Sequence, residues 1–176
     1  MMLFFAVELP DEVRERIFEA GRELEGKGIS LVKKENLHIT LKFIGEKSEH
    51  DAREIIKKAS EISFESFSVR VVGVGAFPNE RNARVIWVGA QADGLGELAH
   101  KIEEALEMEK EKFVGHITVA RVKARVDLSE FFEKNKKAEF GEFLVNAFTL
   151  KKSTLSSQGA LYENAGEFLR EGKGRE

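Results

Sequence analysis

A four-residue sequence, His-Ile-Thr followed by Leu or Val, occurs twice in this chain of 176 residues, at 38–41 and at 116–119. The two copies lie 78 residues apart and contain two of the four His and two of the four Thr in the chain. Each copy lies in a run of apolar and β-branched residues, which is typical of a β-strand. The chain is therefore predicted to contain two similar strands that carry the same polar pair.

Alternation along a strand places the His and the Thr of each copy on the same face. Residues i and i+2 of a strand share a face, so His38 and Thr40 point together, and so do His116 and Thr118. Two such pairs can converge on one ligand if their strands face each other. The other motif positions are apolar, and the two isoleucines are expected in the core: Ile39, Leu41, Ile117 and Val119.

The predicted elements around the two motifs follow the same order. Strand, helix, His-Thr strand, helix and strand occur over residues 1–77 and again over 83–150, and a further strand is predicted at 159–168. We therefore predict an α+β fold with two pseudo-symmetric lobes, each with an antiparallel sheet and helices, and an active-site cleft between them. Residues 1–176 would form this single bilobal domain, with the boundary between the lobes at 78–82.

Local sequence signals predict where several of these elements begin. The first helix is expected to begin at Pro10 and Asp11, and Ser48 with Asp51 resembles a capping box for the second helix. One continuous strand over residues 142–150 is predicted to end the second repeat.

Composition excludes several classes of protein. The absence of Cys excludes disulfides and thiolate metal sites, and is typical of a reducing cytoplasm. No apolar stretch approaches the roughly 20 residues that span a bilayer, so we expect a cytoplasmic protein without a membrane partner. A net charge of −3 argues against general electrostatic binding to long nucleic acid. It is compatible with a basic cleft that holds one or two phosphates.

Paired imidazoles suit the chemistry of a phosphate ester. The unperturbed imidazole pKa of about 6.5 allows one His to take a proton and another to give one near neutral pH. The two Thr hydroxyls would donate hydrogen bonds to the non-bridging oxygens, where charge accumulates. Zinc needs at least three ligands, which the motifs do not supply, so we predict neither a metal nor a cofactor. The residues alone do not distinguish the acid from the base.

The two motifs in their contexts resemble the two-histidine (2H) phosphoesterase superfamily. Within it the chain is most similar to the RNA 2′,3′-cyclic phosphodiesterases, also called 2′-5′ RNA ligases. One departure is Gly115, where relatives often have Pro before the second His. The resemblance covers nearly the whole chain and rests on residues 37–45 and 116–121, with further similarity at 4–10, 84–89 and 153–162.

The resemblance implies a bilobal fold and a reaction that needs neither metal nor ATP. It implies that water opens an RNA 2′,3′-cyclic phosphate end to a 2′-phosphate. His38 would be the proton donor to the 3′-oxygen, and His116 the proton acceptor that activates water. In the direction of 2′-5′ RNA ligation, a 5′-hydroxyl would replace water.

Two cations near the motifs are candidate substrate-binding residues. Lys42 lies two residues beyond Thr40, so alternation predicts that it faces the cleft and contacts phosphate, with a solvated Lys as the alternative. The resemblance implies that Arg121 approaches the substrate, although strict alternation places it on the face opposite His116. A β-bulge would reconcile the two.

The sequence leaves the roles of several aromatic residues open. Most aromatic side chains on such strands belong to the core, whereas readers of single-stranded RNA stack them on bases. The residues concerned are Phe5, Phe43, Phe77, Trp87 and Tyr162.

Two other functions remain alternatives. One keeps the site but takes a small cyclic nucleotide, such as ADP-ribose 1″,2″-cyclic phosphate. The other is a non-catalytic module that binds RNA ends, which the intact His and Thr pairs argue against because binding alone needs Lys or Arg more than imidazole. The expected partner is RNA with a cyclic phosphate end, with tRNA fragments as one candidate source, and the expected oligomeric state is a monomer.

Overall fold

The computed structural model describes residues 1–26 and 28–171, and within them the chain forms two antiparallel sheets and four α-helices. The elements are β1 (Met2–Glu8), α1 (Asp11–Gly21), β2 (Ile29–Leu31), β3 (His38–Glu46), α2 (Glu49–Ala59), β4 (Phe67–Phe77), β5 (Val85–Gln91), α3 (Asp93–Ala105), β6 (His116–Val122), α4 (Ser129–Asn135), β7 (Glu139–Val145), β8 (Ala147–Ser156) and β9 (Gly159–Leu169). The first sheet has the order β3-β1-β8-β9, and the second has the order β2-β6-β5-β4-β7. The predicted α+β fold with two antiparallel sheets is confirmed.

The strands of the two sheets do not come from separate halves of the chain. β1 pairs with β3 and β8, whereas β5 pairs with β6 and β4. Strands therefore cross between the predicted repeats, since β4 lies in the sheet of β5 and β6, and β8 lies in the sheet of β1 and β3. The predicted lobe boundary at residues 78–82 is wrong, because these residues join β4 to β5 as antiparallel neighbours within one sheet. The repeat itself stays a prediction.

The predicted single strand at 142–150 is also wrong. β7 ends at Val145 in the second sheet, and β8 begins at Ala147 in the first. Between them, the Asn146 carbonyl accepts a hydrogen bond from the Arg170 amide at 3.0 Å. The sequence conceals this break because apolar residues continue on both sides of it.

The first two helices begin where the sequence predicts. α1 starts at Asp11 directly after Pro10, and α2 is capped by Ser48, whose Oγ accepts a hydrogen bond from the Asp51 amide at 3.1 Å. α1 packs on β6 and β7 of the second sheet, whereas α3 packs on β3 of the first. Among the described residues, no helix combines the length and apolar character that crossing a membrane requires.

The apolar residues of both motifs lie in the core. Ile39 and Ile117 are fully buried, as expected, and Leu41 and Val119 are nearly so. Full burial of such a side chain stabilises the fold by about 1.5–3 kcal/mol. Each motif strand is therefore fixed in the core by the face opposite its His and Thr side chains.

Candidate active site

Both His-Thr pairs line a single cleft between the sheets. β3 and β6 contact each other. The cleft has a volume of about 660 Å³, and its walls include His38, Thr40, His116 and Thr118. The structure thus brings together the four residues that the repeated motif singles out.

The two imidazoles are oriented in the same way. His38 Nδ1 lies 2.7 Å from the carbonyl oxygen of Asn36, and His116 Nδ1 lies 2.8 Å from that of Val114. A carbonyl oxygen only accepts hydrogen bonds, so each Nδ1 carries a proton and each Nε2 is left as the nitrogen that can exchange one. His38 Nε2 lies 2.9 Å from Thr40 Oγ1. In neutral His38 this nitrogen accepts a hydrogen bond from the Thr40 hydroxyl.

Aromatic rings contact both imidazoles. The ring centroid of His38 lies 5.0 Å from that of Phe4 and 5.4 Å from that of Tyr162. On the opposite wall, the ring of Phe77 meets that of His116 edge-on, with centroids 5.0 Å apart. Each imidazole is therefore in contact with at least one aromatic ring.

The surroundings of His38 favour its neutral form. Burial lowers the pKa of His38 below its usual value, and the nearby positive charges of Lys151 and Arg14 lower the pKa further. The hydrogen bond with Asn36 and the charge of Glu8 act in the opposite direction. A proton donor must be charged before transfer, so in the free protein these surroundings do not by themselves make His38 a donor. A phosphate anion beside it would favour the charged form.

A β-bulge interrupts both motif strands at the same motif position. Leu41 of β3 has no partner in the register with β1, and Val119 of β6 has none in the register with β5. An unpaired residue shifts the alternation of the strand by one. Beyond the bulge, Lys42 therefore turns away from the cleft, whereas Phe43 and Arg121 face it.

The bulge in β6 resolves the position of Arg121. Its side chain lines the cleft with the two His-Thr pairs, despite the odd spacing from His116. Burial raises the pKa of Tyr162, which lines the same cleft, above its usual value, and the charge of Arg121 acts against this rise. No carboxylate among the described residues forms an ion pair with Arg121. Its charge is thus available to a bound anion.

The prediction that Lys42 faces the cleft is wrong. Only 6% of its side chain is exposed, and its Nζ lies 2.7 Å from Glu103 Oε2 and 3.1 Å from Glu111 Oε2. It also donates a hydrogen bond to the Glu109 carbonyl at 3.3 Å. Burial by itself would lower the pKa of Lys42, but its hydrogen bonds with Glu103 and Glu111 raise that pKa above its usual value.

On the side of β3 away from the cleft, Lys42 connects the strand of His38 to the segment that leads into His116. Its partner Glu103 belongs to α3, and its other partners belong to residues 106–115, which lead into His116. The same segment ends at Gly115, where an added Cβ would lie 2.2 Å from the Ala90 carbonyl oxygen. Close backbone contact therefore explains the glycine before the second His. The ammonium and this contact together fix the segment that delivers His116.

The family of the chain follows from a comparison with models of known families. The model for LigT-like phosphoesterases matches the chain twice, at residues 7–87 and at 88–162, and each match contains one His-Ile-Thr motif. The chain belongs to the LigT-like phosphoesterase family.

This phosphoesterase is similar to known proteins in both sequence and structure. It is 39% identical over 170 residues to the RNA 2′,3′-cyclic phosphodiesterase of Methanocaldococcus jannaschii, over 93% of this chain and 97% of the relative. The protein TT0787 of Thermus thermophilus has a similar crystal structure, with a TM-score of 0.82 at 33% identity, over 97% of this chain and 99% of that one. Escherichia coli LigT complexed with 3′-AMP has a TM-score of 0.78 at 26% identity, over 96% of each chain.

The five aromatic residues whose roles the sequence leaves open have three different environments in this phosphoesterase. Phe5 is fully buried in the core. Phe43, which is 56% exposed, and Tyr162 line the cleft. Phe77 and Trp87 pack near His116. The exposed side chain of Phe43 is thus the one most open to contact with a base.

Sequence reasoning missed cleft residues that lie outside the motif strands. These include Phe4 of β1 and the hairpin residues 152–155 of β8. It also missed the two carbonyls that orient the imidazoles, which belong to Asn36 and Val114. Both of these residues lie two positions before a motif His, and that shared position was the available signal.

Proposed function

We propose that this phosphoesterase hydrolyses the 2′,3′-cyclic phosphate end of RNA to a 2′-phosphate. The observation that carries this proposal is the pair of His-Thr motifs on one cleft, each with Nδ1 bound to a carbonyl and Nε2 left for proton transfer. Its curated relatives at 32–39% identity are named RNA 2′,3′-cyclic phosphodiesterases. A related crystal structure contains 3′-AMP, a nucleotide with phosphate on its ribose.

The proposed reaction divides proton transfer between the imidazoles. His116 Nε2 takes a proton from water as its oxygen attacks phosphorus, and the bond from phosphorus to the 3′-oxygen breaks. His38 Nε2 then gives its proton to that oxygen, which leaves a 2′-phosphate and a 3′-hydroxyl. The non-bridging oxygens, which carry negative charge, would accept hydrogen bonds from Thr40, Thr118 and Arg121. Ligation would follow the same path, with an RNA 5′-hydroxyl in place of water.

The proposed mechanism uses protein groups alone. Among the residues that the structure describes, no group of three or more His, Cys, Asp or Glu side chains is placed to hold a metal ion. Two imidazoles supply both proton transfers, so the scheme needs neither metal nor cofactor. We further propose a cytoplasmic monomer that acts on RNA ends such as those of tRNA fragments.

The direct test is an assay with a short oligonucleotide that ends in a 2′,3′-cyclic phosphate. The proposal expects a 2′-phosphate product, and expects ADP-ribose 1″,2″-cyclic phosphate to compete only weakly. Preferred turnover of that nucleotide would favour the small-molecule alternative. Tight binding of the oligonucleotide without product would favour the binding module.

Replacement of Arg121 by Ala should raise KM for the cyclic end by about tenfold or more, because a charged hydrogen bond to phosphate contributes about 1.5–3 kcal/mol. The fold should be unchanged because Arg121 has no ion-pair partner among the described residues. Steady-state kinetics on the oligonucleotide measure the effect, and Arg53→Ala on the exposed surface of α2 is the matched control. An unchanged KM would contradict a role of Arg121 in substrate binding.

His38 should titrate below the usual imidazole pKa of about 6.5 in the free protein, because burial disfavours its charged form. Its NMR signals, assigned with the variant His38→Gln, measure this pKa. Inorganic phosphate in the cleft should raise the pKa of His38, because the anion favours the charged imidazole. A proton donor must be in that charged form before transfer. A free-protein pKa of 6.5 or higher would contradict the proposed environment.

The same lowered pKa of His38 makes stability depend on pH. Between that pKa and about 6.5 the unfolded chain binds more protons at this residue, so its contribution is lost as the pH falls through this window. As the pH falls through this window, the unfolding free energy of the wild type should therefore decrease relative to that of His38→Gln.

A further inference from the structure

A second cavity of about 380 Å³ lies between the connection from β4 to β5 and the segment that follows β6. Four cations line it, and none of the described residues in its walls is acidic. The whole chain has 31 acidic and 28 basic residues. The cavity thus concentrates positive charge against the balance of the molecule. We call it the basic cavity, defined by Arg81, Arg84, Lys123 and Arg125.

The four cations of the basic cavity are free to bind an anion. All four are exposed, and none forms an ion pair with another described residue. Neighbouring cations without carboxylate partners create a local positive potential, which attracts anions. Elsewhere on the surface cations do have such partners, for example Arg70, whose guanidinium lies 2.8 Å from Glu139.

The basic cavity continues the strand that carries His116. Arg121 in the cleft is followed by Val122, whose amide donates to the Arg84 carbonyl at 2.9 Å, and then by Lys123. The six residue steps from His116 to Val122 cover about 20 Å of extended strand. A single phosphate in the cleft does not reach so far, whereas an RNA chain of several nucleotides does.

The walls of the cavity are held in place by backbone contacts. The Lys123 amide donates to the Gly28 carbonyl at 2.9 Å, and a Cβ at Gly28 would lie 2.7 Å from that of Ala124. The segment that carries two of the cations is therefore packed closely against the start of β2.

We propose that the basic cavity binds the phosphate backbone of RNA upstream of the cyclic end. This inference rests on the proposed function, which places that end between His38 and His116. An adjoining depression shares Arg81 and Arg125 but contains acidic residues, namely Glu80, Asp127 and Glu133. These carboxylates repel phosphate, so they limit the path of the RNA to the basic side.

The test compares two substrates and two double variants. The substrates are a 2′,3′-cyclic mononucleotide, which reaches only the cleft, and a single-stranded 12-mer with a 2′,3′-cyclic end. The test variant is Lys123→Ala/Arg125→Ala. The control is Lys57→Ala/Lys58→Ala, which removes two exposed cations from α2.

For the 12-mer, the test variant should raise KM about tenfold, and kcat/KM for the mononucleotide should stay within about twofold of wild type. The slope of log(kcat/KM) against log salt should become shallower by about 1.4 for the 12-mer, since each phosphate contact on a single strand contributes about 0.7. The control variant should match wild type on both substrates.

An unchanged KM for the 12-mer, or equal losses on both substrates, would overturn the inference. Fluorescence anisotropy of a labelled 12-mer tests the cavity without turnover, and the test variant should bind about tenfold more weakly than wild type. Absence of wild-type turnover on both substrates would instead overturn the proposed function, while the binding measurement would still decide the role of the cavity.

Discussion

Alanine at His38 or at His116 should lower kcat on a cyclic-ended oligonucleotide by about 10²- to 10⁴-fold, the usual contribution of general acid–base catalysis. Each substitution removes one of the two Nε2 atoms that the carbonyls of Asn36 and Val114 orient toward proton transfer. KM should change much less, because Arg121 and the Thr hydroxyls remain to contact the phosphate. Single-turnover kinetics on the oligonucleotide measure the effect on chemistry directly.

The exposed His50 of α2 supplies the control for these variants. His50→Ala should retain wild-type turnover, and thermal unfolding should show that all three variants are folded. Wild-type turnover in either His38→Ala or His116→Ala would contradict the assignment of both imidazoles to catalysis.

Removal of either partner of the Lys42–Glu103 pair should destabilise the protein by about 3–5 kcal/mol, because it leaves the other charge buried without its partner. The two side chains are 6% and 2% exposed, and the atoms of the pair lie 2.7 Å apart. Urea unfolding of Lys42→Ala and Glu103→Ala measures the loss. The exposed pair of Arg70 and Glu139 is the matched control, and Arg70→Ala should cost about 1 kcal/mol or less.

A double variant separates the buried charge from the loss of packing. Lys42→Met/Glu103→Leu replaces both charges by apolar groups of similar size and should recover most of the stability that either single variant loses. Glu111, the other carboxylate near Lys42, is 74% exposed and remains solvated. Single variants as stable as wild type would contradict the role of the pair.

The faces of the motif strands could be predicted as far as the Thr residues but not beyond. In β6 the bulge leaves a trace, because the two consecutive buried residues Val119 and Ala120 break the alternation. In β3 the corresponding position holds Lys42, so the sequence continues to alternate and conceals the bulge. The carboxylate that makes its burial tolerable lies 61 residues later, which no local pattern reveals.

The exchange of strands between the sheets could not be predicted for a related reason. The order of elements repeats in the sequence, but the pairing of β4 with β5 and of β8 with β1 depends on contacts between distant parts of the chain. Local patterns predict that a strand exists, and they say much less about which sheet it joins.

The central claim, catalysis by two imidazoles without a metal, is tested most directly by a pH–rate profile. The measurement is kcat/KM on a cyclic-ended oligonucleotide from acid to alkaline pH, with and without a chelator. We expect a bell-shaped profile with an acidic and an alkaline limb, as catalysis by a paired acid and base requires, and no change when the chelator is added. Loss of activity in the chelator would contradict it.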